Sequence, residues 1–356
     1  MKKFRKLKSA FALFLALLLL PASVTACGSS DEADDADSSA DADTSDESSS
    51  DELKVIKIGV GGSESTYAME VGNLAYEYGY FEEELNAVGY TLEIYAFTNT
   101  GTEVNEALAS GDLDAAIYGD FPAFTSKSNG IDTTVVATLN QRMQYSLISA
   151  NEDVTSAQDL EGSSVVYVFG SVQQYFWEKY VEATGIDADL VEIINSSDAA
   201  SLLATGSADA AAANTYLGAY YESLGVGTVI DDGSNYDIFT TTVLIITDSL
   251  LEEAPEVAVA FNKALIRAYE AAVADPDTYF EVIESDTIPA DCYAAAYAFD
   301  DTLWYISPEI ADSTLEYYEE LSSWLYENGI TQSEVDVSEF IDTSYYEQAV
   351  EELEQE

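Results

Sequence analysis

Two stretches decide the fold: Leu108-Ala109-Ser110-Gly111-Asp112-Leu113-Asp114-Ala115-Ala116, and its echo Leu203-Ala204-Thr205-Gly206-Ser207-Ala208-Asp209-Ala210-Ala211. Each ends a helix on glycine, turns through an aspartate and enters a strand of small residues. The flanking units echo in the same order. Thr91-Leu92-Glu93-Ile94 aligns with Leu190-Val191-Glu192-Ile193, and the strand exit Gly62-Ser63 aligns with Gly170-Ser171. Short helix–glycine–strand units recur by chance in α/β chains. Three of them in one order predict two successive halves of βαβαβ build.

The rest of the body carries the same alternation. Val/Ile/Tyr-rich runs predict strands over 54–60, 91–97, 115–119, 134–139, 144–149, 164–169, 190–195, 208–213 and 240–247. Helical periodicity fills 65–78, 103–110, 172–184, 198–205, 215–224 and 256–274. Gly79, Gly111, Gly185, Gly206 and Gly225 stop five of these, and Pro255 opens the sixth. Beyond Asp301 the pattern is mostly helical. The expectation is an α/β fold with largely parallel sheets.

Composition removes whole classes of function. The 356 residues hold 12 Lys+Arg against 67 Asp+Glu, a net charge of −55. So few cations argue against nucleic-acid binding. There is no histidine, which excludes Ser-His-Asp and Cys-His catalysis and His-ligated metals. Two cysteines are too few for a four-thiolate zinc site. At 47% hydrophobic and 12% aromatic, the chain still has ample material for a core. No cofactor and no metal are expected.

Residues 1–26 read as a signal peptide: Lys2, Lys3, Arg5, Lys6 and Lys8, then an apolar run Phe11 to Leu20, then Val24-Thr25-Ala26-Cys27. The run is shorter than a spanning helix needs. Thr25-Ala26 before Cys27 resembles the lipobox of bacterial lipoproteins, which implies cleavage before Cys27 and lipid attachment to it. An ordinary signal peptide with an incidental cysteine is the alternative. Residues 27–52 then form an acidic linker, rich in Ser, Ala, Asp and Glu with no aromatic residue, expected to be disordered. With Cys27 modified, Cys292 has no intrachain partner.

In open α/β sheets ligands sit beyond the C-terminal strand ends, at the helix N-termini. Those positions are Gly62-Ser63-Glu64-Ser65, Gly119-Asp120, Gly170-Ser171 and Asn214-Thr215. Two halves facing each other enclose a cleft. The chain crosses near Asn140–Tyr145 and returns near Tyr236–Thr242, a two-segment hinge. Arg142 is the one cation near the crossover, suited to a sulfonate, nitrate or carboxylate, or else a surface or interlobe ion-pair residue. Ser63, Ser65, Ser171 and Thr215 could cradle an anion or simply cap helices. Glu64 and Asp120 could pair an ammonium or cap. Gln141, Gln173 and Asn214 offer neutral hydrogen bonds. Phe121, Tyr67 and Phe169 could form aromatic walls, or belong to the core. A strongly acidic body slows the approach of an anion, so a zwitterionic, neutral or cationic solute suits it better.

Several motifs then resemble one family. The run Ala75 to Phe81, Ala107-Leu108 with Gly111 and Asp114, Gly119-Asp120-Phe121-Pro122, Asp159-Leu160-Glu161-Gly162 and Gly206 with Asp209-Ala210 are together similar to the nitrate/sulfonate/taurine-type substrate-binding proteins of ABC importers. Glu161 and Ser163 replace the lysines usual there. The related thiamine-precursor-binding proteins share the fold, and the histidines and cysteine-rich motif of the precursor synthases are missing here. The resemblance implies a two-lobed type II periplasmic-binding-protein fold with a central ligand cleft and hinge. Lobe 1 would comprise 53–142 and 240–356, and lobe 2 143–239. It also implies a non-enzymatic, lipid-anchored, extracytoplasmic monomer that captures a small polar solute, a sulfonate, taurine, nitrate or similar, between the lobes and delivers it to ABC permease subunits. A carboxylate-dependent extracellular hydrolase and a structural or adhesion lipoprotein are the alternatives. No carboxylate pair stands out for the first, and the second has no use for a repeated half.

Overall fold

Strands of alanine leave room for helices to pack closely on both faces, and the two repeat strands sit at the centre of two sheets. A computed structural model describes residues 53–61, 69–97, 100–151, 153–193, 197–285, 288–300 and 302–355. The assignments over 1–52, Cys27 included, and the strand-exit residues Gly62, Ser63, Glu64, Ser65 and Tyr67 lie outside them.

Ten strands run in chain order: β1 Lys54–Gly61, β2 Tyr90–Phe97, β3 Ala115–Gly119, β4 Thr133–Met143, β5 Tyr145–Ser149, β6 Ser164–Val168, β7 Asp189–Ile193, β8 Ala210–Asn214, β9 Thr228–Asp232 and β10 Thr240–Thr247. The first sheet has the order β2-β1-β3-β10-β4 and the second β7-β6-β8-β5-β9. The echo is therefore structural, with β2-β1-β3 matching β7-β6-β8. Within each triplet the pairs are parallel.

One strand of each sheet is reversed. β10 is antiparallel to β3 and β4, and β5 is antiparallel to β8 and β9. Both reversed strands have just crossed from the other sheet. β5 follows β4 after one residue, Gln144. A chain that crosses a gap enters its new sheet at the gap edge, so it runs away from the edge where the parallel strands end. The expectation of largely parallel sheets holds for the triplets and fails for the crossing strands for this reason.

Helices cover both faces of the first sheet. Val71–Glu77, Tyr80–Ala87, Glu256–Ala274, Pro276–Ile283 and Ala290–Ala296 contribute to one core layer. Thr100–Ser110, Asp120–Ser128 and Asp312–Glu327 build the other. In the second sheet, Val172–Thr184 packs on one face, and Ser197–Ala204 and Thr215–Leu224 on the other. The 19-residue helix Glu256–Ala274 buries Val257, Phe261, Ala264, Leu265 and Ala268 along one stripe. Phe261 meets Phe81 edge-on at 5.6 Å, and full burial of such a ring stabilises by about 2–3 kcal/mol. Lys263 and Arg267 on this helix reach Glu84 at 3.3 and 2.5 Å, and Arg267 also reaches Glu83 at 2.7 Å.

Five helices and one strand escape the sequence pattern: Tyr80–Ala87, Asp120–Ser128, Asp248–Glu253, Pro276–Ile283, Ala290–Ala296 and β9. Asp120–Ser128 is helical directly after β3, with Pro122 tolerated in the first turn. β9 is a short acidic strand at the sheet edge, where propensity is weak.

Candidate ligand-binding cleft

Four of the six parallel strand ends converge on one cavity. Gly61 ends β1, Gly119 ends β3, Val168 ends β6 and Asn214 ends β8, and each lines a cavity of about 190 Å³. The crossing strands complete its rim. Met143 closes β4, Tyr145 opens β5, and Thr241 and Thr242 lie at the start of β10. Register places Tyr145 opposite Asn214 and Thr242 opposite Gly119, so these four residues stand at the mouth in adjacent pairs.

Gly119 is required here by space. A Cβ on it would stand 2.7 Å from Cγ1 of Val172, the first residue of a helix on the other sheet. The missing side chain lets the two halves approach.

The walls are aromatic and thioether: Tyr118, Tyr145, Tyr216, Met69 and Met143. Polar atoms are few and uncharged. Ser171 caps its helix, accepting from Gln173 N at 3.1 Å and donating to Val168 O at 2.7 Å. Gln173 Oε1 accepts from Val168 N at 3.1 Å. That leaves the Gln173 amide nitrogen as a donor. Asn214 Nδ2 lies 2.9 Å from Met143 Sδ, which leaves its carbonyl oxygen as an acceptor. Burial pushes the phenols of Tyr145 and Tyr216 well above their ordinary range, so both stay neutral at any physiological pH, and the Tyr145 hydroxyl donates to Met143 Sδ at 3.3 Å. No lysine, arginine, aspartate or glutamate is among the described lining residues. Residues 62–68 and 98–99 contain no lysine or arginine.

Of the residues expected at the cleft, Gly119, Ser171, Gln173 and Asn214 line the cavity together. Others are engaged elsewhere. Asp120 is fully buried: Oδ2 accepts from Thr241 N at 2.7 Å, Thr241 Oγ1 at 3.1 Å and Tyr317 Oη at 2.8 Å, and Oδ1 from Phe121 N at 2.7 Å. Burial raises its pKa to about 6 despite those donors. It ties the cavity residue Thr241 to the helix Asp312–Glu327, and its fully buried carboxylate is not among the described lining residues that an ammonium would meet. Phe121 is core. Gln141 is spent on Ala311 N, Thr314 Oγ1 and Ser307 O. Arg142 pairs with Asp237 and stacks 4.5 Å over the Phe239 ring, bracing the two crossings rather than facing the cavity. Thr215 Oγ1 bonds Ser146 at 3.0 Å and Asp232 at 3.2 Å. Gly170 turns with φ 68° and takes Gln174 Oε1 on its N–H, outside the lining. Phe169 is 57% exposed and forms no wall.

Beside the cavity lies a buried acid that sequence reading passed over. Glu70 follows the cavity residue Met69, and both have positive φ, 57° and 48°, a strained pairing for residues other than glycine. Its carboxylate accepts from Tyr297 Oη at 3.0 Å and Tyr279 Oη at 3.3 Å. Desolvation outweighs these donors and raises its pKa to about 7.

Residues 73–279 match the family model described as NMT1/THI5 like. The chain belongs to that family. Among curated relatives of this NMT1/THI5-like protein, the formylaminopyrimidine-binding protein of Halalkalibacterium halodurans is 26% identical over 266 residues, 71% of this chain and 79% of that protein. The taurine-binding periplasmic protein of Escherichia coli is 24% identical over 190 residues, 52% of this chain and 59% of that protein. Among solved structures, the periplasmic sulfonate-binding protein SsuA of Methylobacillus flagellatus KT superposes with a TM-score of 0.72 at 22% identity, covering 86% of this chain and 96% of that one. That likeness establishes the periplasmic-binding-protein fold. Three cavity tyrosines missed by sequence reading sit one to three positions from residues it named: Tyr118 before Gly119, Tyr216 two after Asn214, and Tyr145 three after Arg142. The signal available was a tyrosine at a strand terminus or in the first turn of the helix that follows one, a residue type that reads equally as core.

Proposed function

We propose that this protein is the solute-binding component of an ABC importer. It captures a small, uncharged or weakly basic planar ring between two lobes and presents it to permease subunits outside the cytoplasm. Lobe 1 comprises 53–142 and 240–356, lobe 2 143–239, and the paired crossings at Met143–Tyr145 and Asp237–Thr240 are the hinge. The observation that carries the reading is the cavity itself. Strand ends from both sheets meet there, where backbone amides point outward and a closing motion would bury a guest. Release without chemistry is the expected outcome, since no nucleophile–base pair lines the described cavity. Lipidation at Cys27 and the acidic linker 28–52 would hold the body near its permease.

The cavity chemistry supports an aminopyrimidine-type ring above the sulfonates, taurine or nitrate. Tyrosine and methionine walls suit a flat aromatic face. The Gln173 donor and the Asn214 acceptor suit ring nitrogens and an exocyclic amine. An anion would meet no lysine or arginine among the described lining residues, and would approach a chain of net charge −55. A thermal-shift and native mass spectrometry panel of formylaminopyrimidine, simpler aminopyrimidines, taurine, an alkanesulfonate and nitrate tests this. The pyrimidines should raise the melting temperature and be recovered unaltered. Stabilisation by taurine or the sulfonate alone would replace the ring reading. Conversion of the ligand would restore an enzyme, and silence across the panel would remove the importer reading.

A further inference from the structure

The second sheet reaches the cavity through two helix starts. Ser171, Val172 and Gln173 begin the helix Val172–Thr184, and Asn214, Tyr216 and Leu217 begin the helix Thr215–Leu224. Each of these helices is also met by aromatic residues from the C-terminal segment, which packs with the first sheet. Tyr293, on the helix Ala290–Ala296, stacks on Tyr216 with ring centroids 4.7 Å apart and planes 30° from parallel. Trp324, on the helix Asp312–Glu327, meets Tyr175 edge-on at 4.9 Å and donates its indole N–H to Glu182 at 3.1 Å. Tyr317 on that same helix lies 6.1 Å from Tyr175 and donates to Asp120, which holds the cavity residue Thr241. Tyr293 and Trp324 both lie beyond residue 279, where the family match ends.

We propose that Tyr293 and Trp324 are positioning residues, a two-point clasp that holds both cavity-facing helices of the second sheet against the first and so sets how long the cleft stays shut. Three features support a clasp over incidental packing. Each ring bridges the two sheets' layers. Each is buried. Each grips the first half of a helix whose start forms the cavity, so a shift there moves Tyr216 or Gln173 directly. Two contacts on separate helices also resist twisting as well as opening, which a single contact would not.

The proposal rests on the cleft being a solute site, and its test separates the two. Small-angle X-ray scattering and hydrogen–deuterium exchange on the ligand-free chain need no solute. Tyr293→Ala should enlarge the radius of gyration and speed exchange in Thr215–Leu224. Trp324→Ala should do so in Val172–Thr184. Tyr293→Phe keeps the ring and should match the parent. If the alanine variants fail to fold, Trp324→Phe, which keeps the packing but loses the bond to Glu182, should still speed exchange in Val172–Thr184. In a ligand arm with formylaminopyrimidine as probe, Tyr293→Ala should release it about tenfold faster, an effect carried by the off-rate. Folded variants with parental scattering and exchange would overturn the clasp. A parent that ignores the probe would count against the ring reading alone, while scattering and exchange still decide the clasp.

Discussion

Gly119 and Glu70 show how much one residue controls here. A methyl on Gly119 meets Val172 across the gap at 2.7 Å, so Gly119→Ala must push the two sheets apart or displace the valine. We expect tenfold or weaker ligand binding with a melting temperature close to the parent, read by calorimetric titration. Parental affinity would mean that Val172 yields freely. Glu70 behaves differently. Its folded pKa, about 7, lies above its ordinary value of 4.5 because burial penalises the charge. A carboxyl raised in this way contributes stability that is complete below its unfolded pKa and lost as pH rises toward 7. Glu70→Gln should therefore gain on the parent between pH 4.5 and pH 7, by an amount on the order of 3 kcal/mol. Melting curves across that window check it, and parallel pH profiles would show that the carboxyl is not the group responsible. Neither residue advertised its role. Glycine at a strand exit was legible, but its partner across the gap was not. Glu70 fell inside a predicted helix as one acid among 67 Asp+Glu.

Among the elements, the helix Glu256–Ala274 is the main buttress of the first sheet, and its charged face is pinned by Tyr80–Ala87. Glu84 is nearly buried and faces both Lys263 and Arg267. Removing it takes the most buried carboxylate from Lys263 and Arg267, which retain Glu352 at 3.9 Å and Glu83 at 2.7 Å, so Glu84→Ala should destabilise by about 2 kcal/mol, measured by urea unfolding at constant slope. A loss below about 0.5 kcal/mol would place the trio with weak surface pairs. Elements were the most readable level. The repeat units, the helix stops at glycine and nine of the ten strands follow from period and turn chemistry. The helix Asp120–Ser128, the edge strand β9 and the short helices Tyr80–Ala87, Asp248–Glu253, Pro276–Ile283 and Ala290–Ala296 did not, since a proline in a first turn, an acidic five-residue strand and helices of two turns or so carry little local signal.

For the whole molecule, a net charge of −55 means that folding compresses mutually repelling carboxylates. Added salt should raise the melting temperature steadily from low ionic strength to about 0.5 M, most steeply where the screening length falls below about 10 Å. A flat response would mean that the surface charges are already well separated. The same excess of acid makes the lack of charged residues among the described lining residues more telling. With cations so scarce, those that pack inside are spent on bracing, Arg142 at the crossings and Lys263 and Arg267 on the buttress.

The amino-acid order alone determined the duplicated halves, the two crossings and the rim on which a ligand would sit, because period, glycine stops and strand alternation are local properties that each segment carries with it. Which side chains on that rim look inward was decided only by tertiary structure. A strand-end residue and its neighbour point to opposite faces, and a polar group faces a cavity only if no closer partner takes it. Asp120, Gln141 and Arg142 found partners far away in sequence, at Tyr317, Thr314 and Asp237. Gln173 and Asn214, expected at the same rim, do line the cavity.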